Sequence, residues 1–258
     1  MIALQGVCKT FDGGASYAVR DVNLEIPAHT FVAVVGDSGS GKTTLLKTIN
    51  RLIEPEAVEV CIDGEPVRSV PPHELRRRIG YVFQGVGLFP HLSIAENIGI
   101  TPQLAGWPDD AIRARVEELI DLVCLPRAYL TRMPAELSGG QRQRVGIARA
   151  LAARPAIVLM DEPFGALDPV TRDGLGGECR RLHEHMQLTT VMVTHDILEA
   201  VLLADRIVVM RRGRIVADGE PHELLAGHPD PAVSTLMDMP RRQAARVRSL
   251  LEERTAHE

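Results

Sequence analysis

Apolar residues along this chain follow two rhythms. Short, nearly unbroken runs recur, at Phe31-Val32-Ala33-Val34-Val35, Ala156-Ile157-Val158-Leu159-Met160 and Thr189 to Thr194. Runs of that length, bounded by polar turn residues, predict buried strands. Val58 to Ile62, closed by Asp63-Gly64, and Ile79 to Phe83 predict two more. Between them the spacing becomes helical. Lys42 to Ile53 carries Leu45, Leu46, Ile49, Leu52 and Ile53 and is predicted to stop before Pro55, while Asp109 to Val123 sets Ile112, Val116, Leu119, Ile120 and Val123 on one face. Ile2 to Val7 and Tyr17 to Ile26 alternate instead, broken by Asp12-Gly13-Gly14 and Pro27, and predict antiparallel strands with Phe11 in the turn. Ile207 to Met210 and Ile215 to Ala217, joined through Arg212-Gly213, predict a hairpin.

Helix starts are marked by capping signals. Ser93 with Glu96, Ser138 with Gln141, and Asp196 with Glu199 each have capping-box spacing, and Asp168-Pro169 places a cap before a proline at the first helical position. Pro72 opens a basic helix over Glu74 to Arg78. Residues 88 to 136, punctuated by Pro102, Trp107-Pro108 and Pro126, read as a helical insertion between two strands. The helix that Ser138 heads runs to about Ala153 with Val145, Ala148 and Leu151 on one face. Residues 219–258 are expected to hold one or two helices, the last a solvated tail near Arg241 to Glu253.

Composition narrows the picture. The 258 residues suffice for one α/β domain or a large and a small lobe, and with 45% hydrophobic but only 3% aromatic residues the core must be aliphatic. A formal charge of -5 argues against nucleic-acid binding by bulk positive charge. Cys8, Cys61, Cys124 and Cys179 are scattered with no C-x-x-C pair, which predicts free thiols in a reducing compartment. No signal peptide is expected from Met1 to Gly6, and no apolar run approaches the roughly 20 residues that span a bilayer. Any membrane role is therefore expected to run through a partner.

The chemistry centres on Gly36-Asp37-Ser38-Gly39-Ser40-Gly41-Lys42-Thr43-Thr44, which fits the phosphate-binding pattern G-x-x-x-x-G-K-[ST] between a strand and a helix. The glycines let several backbone N–H groups aim at one anion, and the helix N-terminus adds partial positive charge. Lys42 is expected to reach the β- and γ-phosphates and Thr43 to ligate Mg²⁺. Asp161-Glu162 closes an apolar strand, where Asp161 can hold hydrated Mg²⁺ and Glu162 can orient and deprotonate a water; strand alternation sends the two acids to opposite sides. Gln84 at a strand's carboxyl end is placed to touch Mg²⁺ or a water, and His195 at another to donate to a γ-phosphate. Phe11 offers a ring on which a base could stack. Leu137-Ser138-Gly139-Gly140-Gln141 starts a helix with two glycines, poor helix formers whose bare N–H groups can make a second anion site; standing alone, the pentapeptide reads rather as an ordinary N-cap. His183 and His185, two apart, lie on different helix faces and make no metal pair, and Gly174, Gly176 and Gly177 in the same helix have no explanation in the pattern.

Phosphate loop, Gln84, Leu-Ser-Gly-Gly-Gln, Asp161-Glu162, Ala166-Leu167-Asp168 and His195 occur in one order, and together they resemble the ATP-binding subunit of ABC transporters over Leu4 to about Leu225. The resemblance implies an α/β P-loop NTPase fold, with a mainly parallel core sheet, an N-terminal antiparallel β subdomain and an inserted α-helical subdomain. It implies a cassette over residues 1–228, with the helical subdomain and signature motif at about 88–153, and a short helical extension over 229–258. It implies a head-to-tail pair of copies sandwiching ATP and Mg²⁺ between one copy's residues 36–44 and the other's Ser138, Gly139, Gly140 and Gln141. Further implied roles are adenine stacking for Phe11, Mg²⁺ and coupling for Gln84, general base for Glu162, contact with the opposite copy for Asp168, and γ-phosphate contact for His195. The implied partners are membrane permease subunits and, indirectly, a solute-binding protein, on the cytoplasmic side of the membrane, with no nucleic acid.

A narrower resemblance, to the osmoprotectant uptake ATPases for glycine betaine, carnitine, choline or proline, rests on Asn50-Arg51-Leu52-Ile53-Glu54-Pro55, Ile62-Asp63-Gly64, Gly87-Leu88-Phe89-Pro90-His91 and the string from Asp161 to Pro169. Importers of polar amino acids, methionine or nitrate/sulfonate share parts of these strings, and a DNA-repair or translation ATPase and a nucleotide-binding module without turnover fit less well. Two departures stand out: Ala57-Val58 occupies a turn where the family usually has glycine, and no tandem CBS regulatory module is expected before Glu258.

Overall fold

The computed structural model describes residues 1–14 and 16–255. Strands β1 (Ile2–Thr10) and β2 (Tyr17–Ile26) pair antiparallel, as their alternation predicts. β3 (Phe31–Val35) feeds the phosphate loop and α1 (Lys42–Ile49). β4 (Ala57–Ile62) and β5 (Glu65–Pro66) complete the first sheet, in the order β2-β1-β4-β5. After α2 (Pro72–Arg77) and β6 (Ile79–Val82), α3 (Ile94–Leu104), α4 (Asp109–Leu122) and α5 (Gly139–Leu151) intervene before β7 (Ile157–Asp161). Next come α6 (Pro169–Met186), β8 (Thr189–Val193), α7 (Ile197–Leu203), β9 (Arg206–Arg211) and β10 (Arg214–Gly219). The chain continues through α8 (Pro221–Ala226), α9 (Pro231–Met237) and α10 (Met239–Thr255).

The second sheet has the order β10-β9-β3-β8-β7-β6, parallel except for the β9–β10 hairpin. Alternation splits each central strand between two cores. Phe31, Ala33, Val35, Val158, Met160, Met192, Ile207 and Val209 face one, with residues of α3 to α7. Val32, Val34, Ile157, Leu159, Val191, Val193 and Val208 face the other, with α1 and the antiparallel sheet. Each such side chain contributes roughly 1.5–3 kcal/mol by leaving water. Burial on both faces explains why these strands read as unbroken apolar runs. Their carboxyl ends line up along one edge, which gathers the candidate residues.

The structure departs from expectation in particular places. α1 ends at Ile49, one turn before Ile53. The Asn50 side chain accepts from Leu52 N at 3.2 Å, and Arg51 turns to φ 55 with its guanidinium on Val67 O (3.1 Å) and Val70 O (2.8 Å). A local side-chain turn and a tertiary clamp therefore override the apolar period. Ala57 and Val58 are the first residues of β4 rather than a turn, with Ala57 opposite Cys8. Asp196 caps α7 through Leu198 N and Glu199 N, but Glu199 does not reciprocate, because its carboxylate receives the Thr194 hydroxyl at 2.6 Å. Among the described residues three helices, not one or two, follow β10; Pro221 and Pro231 each open one at a first helical position. Arg241 to Arg246 of α10 are exposed, and the chain beyond Thr255 lies outside the described residues. Gly176 lets Leu203 of α7 approach α6, since a Cβ there would stand 3.3 Å from Leu203 Cδ1; nothing explains Gly174 or Gly177.

Among the described residues, no helix is long and apolar enough to cross a membrane. The four cysteines are free.

Candidate functional site

The phosphate loop is fixed by backbone constraints that only glycine meets. Gly36 has φ 144 and a Cβ there would lie 2.1 Å from Met210 O; Gly41 has φ 101 and its Cβ would lie 2.1 Å from Ala18 O. Gly213 of the β9–β10 turn donates to Ser40 O at 3.0 Å, while Arg20 N donates to Gly213 O at 2.8 Å. The loop is thus wedged between β2 and the hairpin. Lys42 is 5% exposed, and its Nζ donates to Gly36 O (2.7 Å) and Asp37 O (2.9 Å). Burial lowers the Lys42 pKa, against the opposing pull of Glu162, Asp37 and Asp161.

Across the loop, Thr43 Oγ1 donates to Asp161 Oδ1 at 2.8 Å. Asp161, the last residue of β7, also receives the Tyr81 hydroxyl on Oδ2 at 3.3 Å and faces Lys47 Nζ at 3.6 Å. Burial, then the charge of Asp161, raises the Tyr81 phenol and keeps it a donor. The next residue, Glu162, adopts φ 44, with its N–H on Val193 O at 2.9 Å. A left-handed backbone at a residue with a Cβ costs of order 1–3 kcal/mol. It is this turn at the strand end, not strand alternation, that separates the directions of the two acids. Glu162 Oε2 accepts from Gln84 Nε2 at 3.1 Å and stands 3.4 Å from His195 Nδ1. Residues from the ends of β6, β7 and β8 thereby meet at one carboxylate.

The structure brings Lys42, Thr43, Gln84, Asp161, Glu162 and His195 together. Ser38 and Gly39 lie exposed at the loop's crest and Thr44 is half-buried in the first turn of α1. Phe11 stands apart, 67% exposed, with Lys9 Nζ 5.5 Å from its ring centroid. Ser138 caps α5 with a complete capping box: its Oγ accepts from Gln141 N and its own N–H donates to Gln141 Oε1 at 2.9 Å. Ser138 and Gly139 are exposed, and among the described residues no hydrogen bond or ion pair ties residues 138–141 to residues 36–44 of the same chain. Asp168 caps the neighbouring α6 through Thr171 N at 3.0 Å, which lowers its pKa. The two helices start side by side, for a Cβ at Gly140 would lie 2.5 Å from Thr171 Cγ2.

Pattern reading missed Lys47, Tyr81 and Arg149. Lys47 was within reach, since it lies four residues after Thr43 and so on the same helix face. Tyr81 carried no signal without knowledge that β6 neighbours β7. Arg149 of α5, 7% exposed, donates to Gly87 O (2.7 Å) and Val86 O (2.9 Å), and so holds the loop that follows Gln84. Val86 itself has φ 68, an outlier for a β-branched residue.

A family model described as ABC transporter matches residues 19–165. The chain belongs to the ABC transporter family. It is 51% identical over 225 residues to the glycine betaine uptake system ATP-binding protein YehX of Escherichia coli K12, covering 87% of this chain and 72% of that protein. It is 51% identical over 233 residues to the choline transport ATP-binding protein OpuBA of Bacillus subtilis 168, covering 90% of this chain and 61% of that one. This ABC chain therefore spans about three fifths of the length of OpuBA. Among solved structures, the dimeric post-hydrolysis form of the ATP-binding cassette MJ0796 bound to ADP and Pi matches with a TM-score of 0.77 at 36% identity, over 85% of this chain and 98% of that one. The ABC ATPase fold is thus shared.

Proposed function

We propose that this chain is the ATP-hydrolysing subunit of an importer for an osmoprotectant of the glycine betaine, carnitine, choline or proline kind. One observation carries the hydrolytic reading: Glu162, beside the Asp161–Thr43 pair and the phosphate loop, is touched by both Gln84 and His195. The similarity to YehX and OpuBA supports the solute class.

The loop amides of residues 36–44 and the N-terminus of α1 bind the triphosphate, with Lys42 on the β- and γ-phosphates. Glu162 takes a proton from water as the water oxygen attacks the γ-phosphorus and the bond to the β-phosphate oxygen breaks. His195 steadies the γ-phosphate, and Phe11 stacks on adenine. Thr43, Asp161 and Gln84 would hold Mg²⁺. Their oxygens are hard donors, and the Thr43 hydroxyl stands 2.8 Å from Asp161 Oδ1, which fits an ion that brings waters and phosphate oxygens as its remaining ligands. When bound, Mg²⁺ neutralises charge on the β- and γ-phosphates.

The capped N-terminus of α5, at Ser138, Gly139, Gly140 and Gln141, exposed at its first two residues, and the exposed Asp168 beside it serve the nucleotide of a second copy, in a head-to-tail pair. The cassette, over residues 1–228 with its helical part at about 88–153, docks on permease subunits at the inner face of the membrane, and a solute-binding protein delivers cargo to those subunits. The experiment is Glu162→Gln. Turnover is expected to fall by roughly 10²–10⁴-fold, while ATP drives a dimer visible by light scattering. Turnover at the parent rate would remove Glu162 as base. Loss of glycine betaine or choline uptake on deleting the gene tests the solute class.

A further inference from the structure

Arg172 on the first turn of α6 makes contacts that the hydrolytic reading leaves unused. Its Nη2 donates to Leu167 O at 3.2 Å, in the turn that presents Asp168. Its Nη1 donates to Asp196 Oδ2 at 3.3 Å, and its buried Nε lies 3.6 Å from Glu199 Oε1, an ion pair too long for a hydrogen bond. Asp196 and Glu199 both belong to the start of α7, directly after His195. Glu199 accepts from Thr194 Oγ1 at 2.6 Å, and that hydroxyl accepts from Asp196 N at 3.0 Å. Both chain neighbours of His195 are therefore fastened into one network, and the network's cation reaches across to the Asp168 turn. The His195 side chain itself remains 63% exposed and 3.4 Å from Glu162.

We infer that Arg172 is a positioning residue that ties the Leu167–Asp168 turn to the Thr194-His195-Asp196 turn, so that contact of Asp168 with a second copy sets where His195 meets the γ-phosphate. This rests on the two-copy hydrolytic site proposed above. The link is short: two carboxylates hold the cation at the α7 end and a backbone carbonyl holds it at the Asp168 turn. The planar guanidinium hydrogen-bonds two elements at once, through Leu167 O and Asp196 Oδ2, with Glu199 as a longer charge contact, a spread that the compact ammonium of lysine does not reproduce. The groups facing it are Asp196 and Glu199 from α7 and the Leu167 carbonyl from its own approach turn. Glu199, with its pKa raised mainly by burial, has Arg172 as its compensating cation.

The test uses the full chain with Arg172→Met, Arg172→Lys and Asp196→Asn; the last keeps a capping side chain on α7 while removing the charge that Arg172 holds. Each is made alone and with Glu162→Gln. The inference expects kcat to fall roughly 10- to 100-fold, as a small misplacement of a catalytic group does, with KM for ATP changed less than about twofold. Arg172→Lys is expected to recover only part of the loss. In the Glu162→Gln background, ATP-driven dimers are expected to persist in all three. The Asp168→Ala and Arg172→Met losses in kcat are expected to be far from additive, since both break the same link. Parental kcat in Arg172→Met and Asp196→Asn, a KM rise that accounts for the loss, or additive losses with Asp168→Ala would each overturn the inference. If Glu162→Gln alone turns over ATP normally or forms no dimer, the underlying reading has failed instead.

Discussion

Gly41→Ala tests whether the phosphate loop is held by its contact with β2 rather than by glycine's backbone freedom alone. Two loop glycines separate these effects. Gly39 has φ 77 and nothing within 4 Å of a would-be Cβ, whereas Gly41 has φ 101 and a would-be Cβ 2.1 Å from Ala18 O, a backbone atom. Alanine at Gly39 therefore meets only the left-handed penalty, roughly 1–2 kcal/mol. Alanine at Gly41 meets that penalty and must also push the loop off β2, which by the cost of overpacking adds about 1–3 kcal/mol. At this chain length each kcal/mol lowers the melting temperature by roughly 2–4 °C. Gly41→Ala should thus melt about 2–12 °C below Gly39→Ala by the same conversion. Differential scanning calorimetry reads the gap, and urea titration with an unchanged m-value checks that both variants still unfold as one unit. If the two variants melt together, the Ala18 contact carries no cost and the loop is not wedged as described.

The remaining predictions concern charge, the loop after Gln84, and the N-terminus of α5. Burial lowers the Lys42 pKa, so between that lowered value and 10.5 the unfolded chain binds more protons than the folded one. Stability should gain from Lys42 as pH rises through that window, while ATP affinity, which needs the ammonium, should fall; titration calorimetry against Lys42→Met, which abolishes both slopes, checks the signs. Arg149→Met removes two charge-assisted hydrogen bonds to the Val86 and Gly87 carbonyls, each about 1.5–3 kcal/mol, less the relief of a buried charge; a net loss near 2 kcal/mol is expected by denaturant titration, with faster proteolysis near Gln84. Ser138→Ala loses the cap of α5, about 1 kcal/mol of stability, and is expected to weaken ATP-driven dimerisation while leaving ATP binding to the single chain unchanged.

Most of the candidate site's convergence was legible because its motifs sit where apolar strands stop. The phosphate loop follows β3, Gln84 follows β6, Asp161 ends β7, and His195 follows β8, so a reader who finds the strands finds the edge where they converge. Order in the sheet was not legible, because it depends on which strands pair at long range. That is why Tyr81, whose role exists only because β6 lies beside β7, stayed hidden. Arg51, Arg149 and Arg172 escaped for a related reason: each acts through backbone carbonyls or carboxylates 5 to 63 residues away in sequence, and arginine on a helix face reads as solvated. The early end of α1 shows a local turn, Asn50 onto Leu52 N, defeating a good apolar period.

The Lys42 ammonium rests on the carbonyls of Gly36 and Asp37. A competitor for this loop must therefore be anionic enough to win that cation away from two oxygen acceptors. Uncharged isosteres of the polyphosphate would find the cradle answered by its own side chain, and inhibitor screens biased toward neutral fragments should return few hits here.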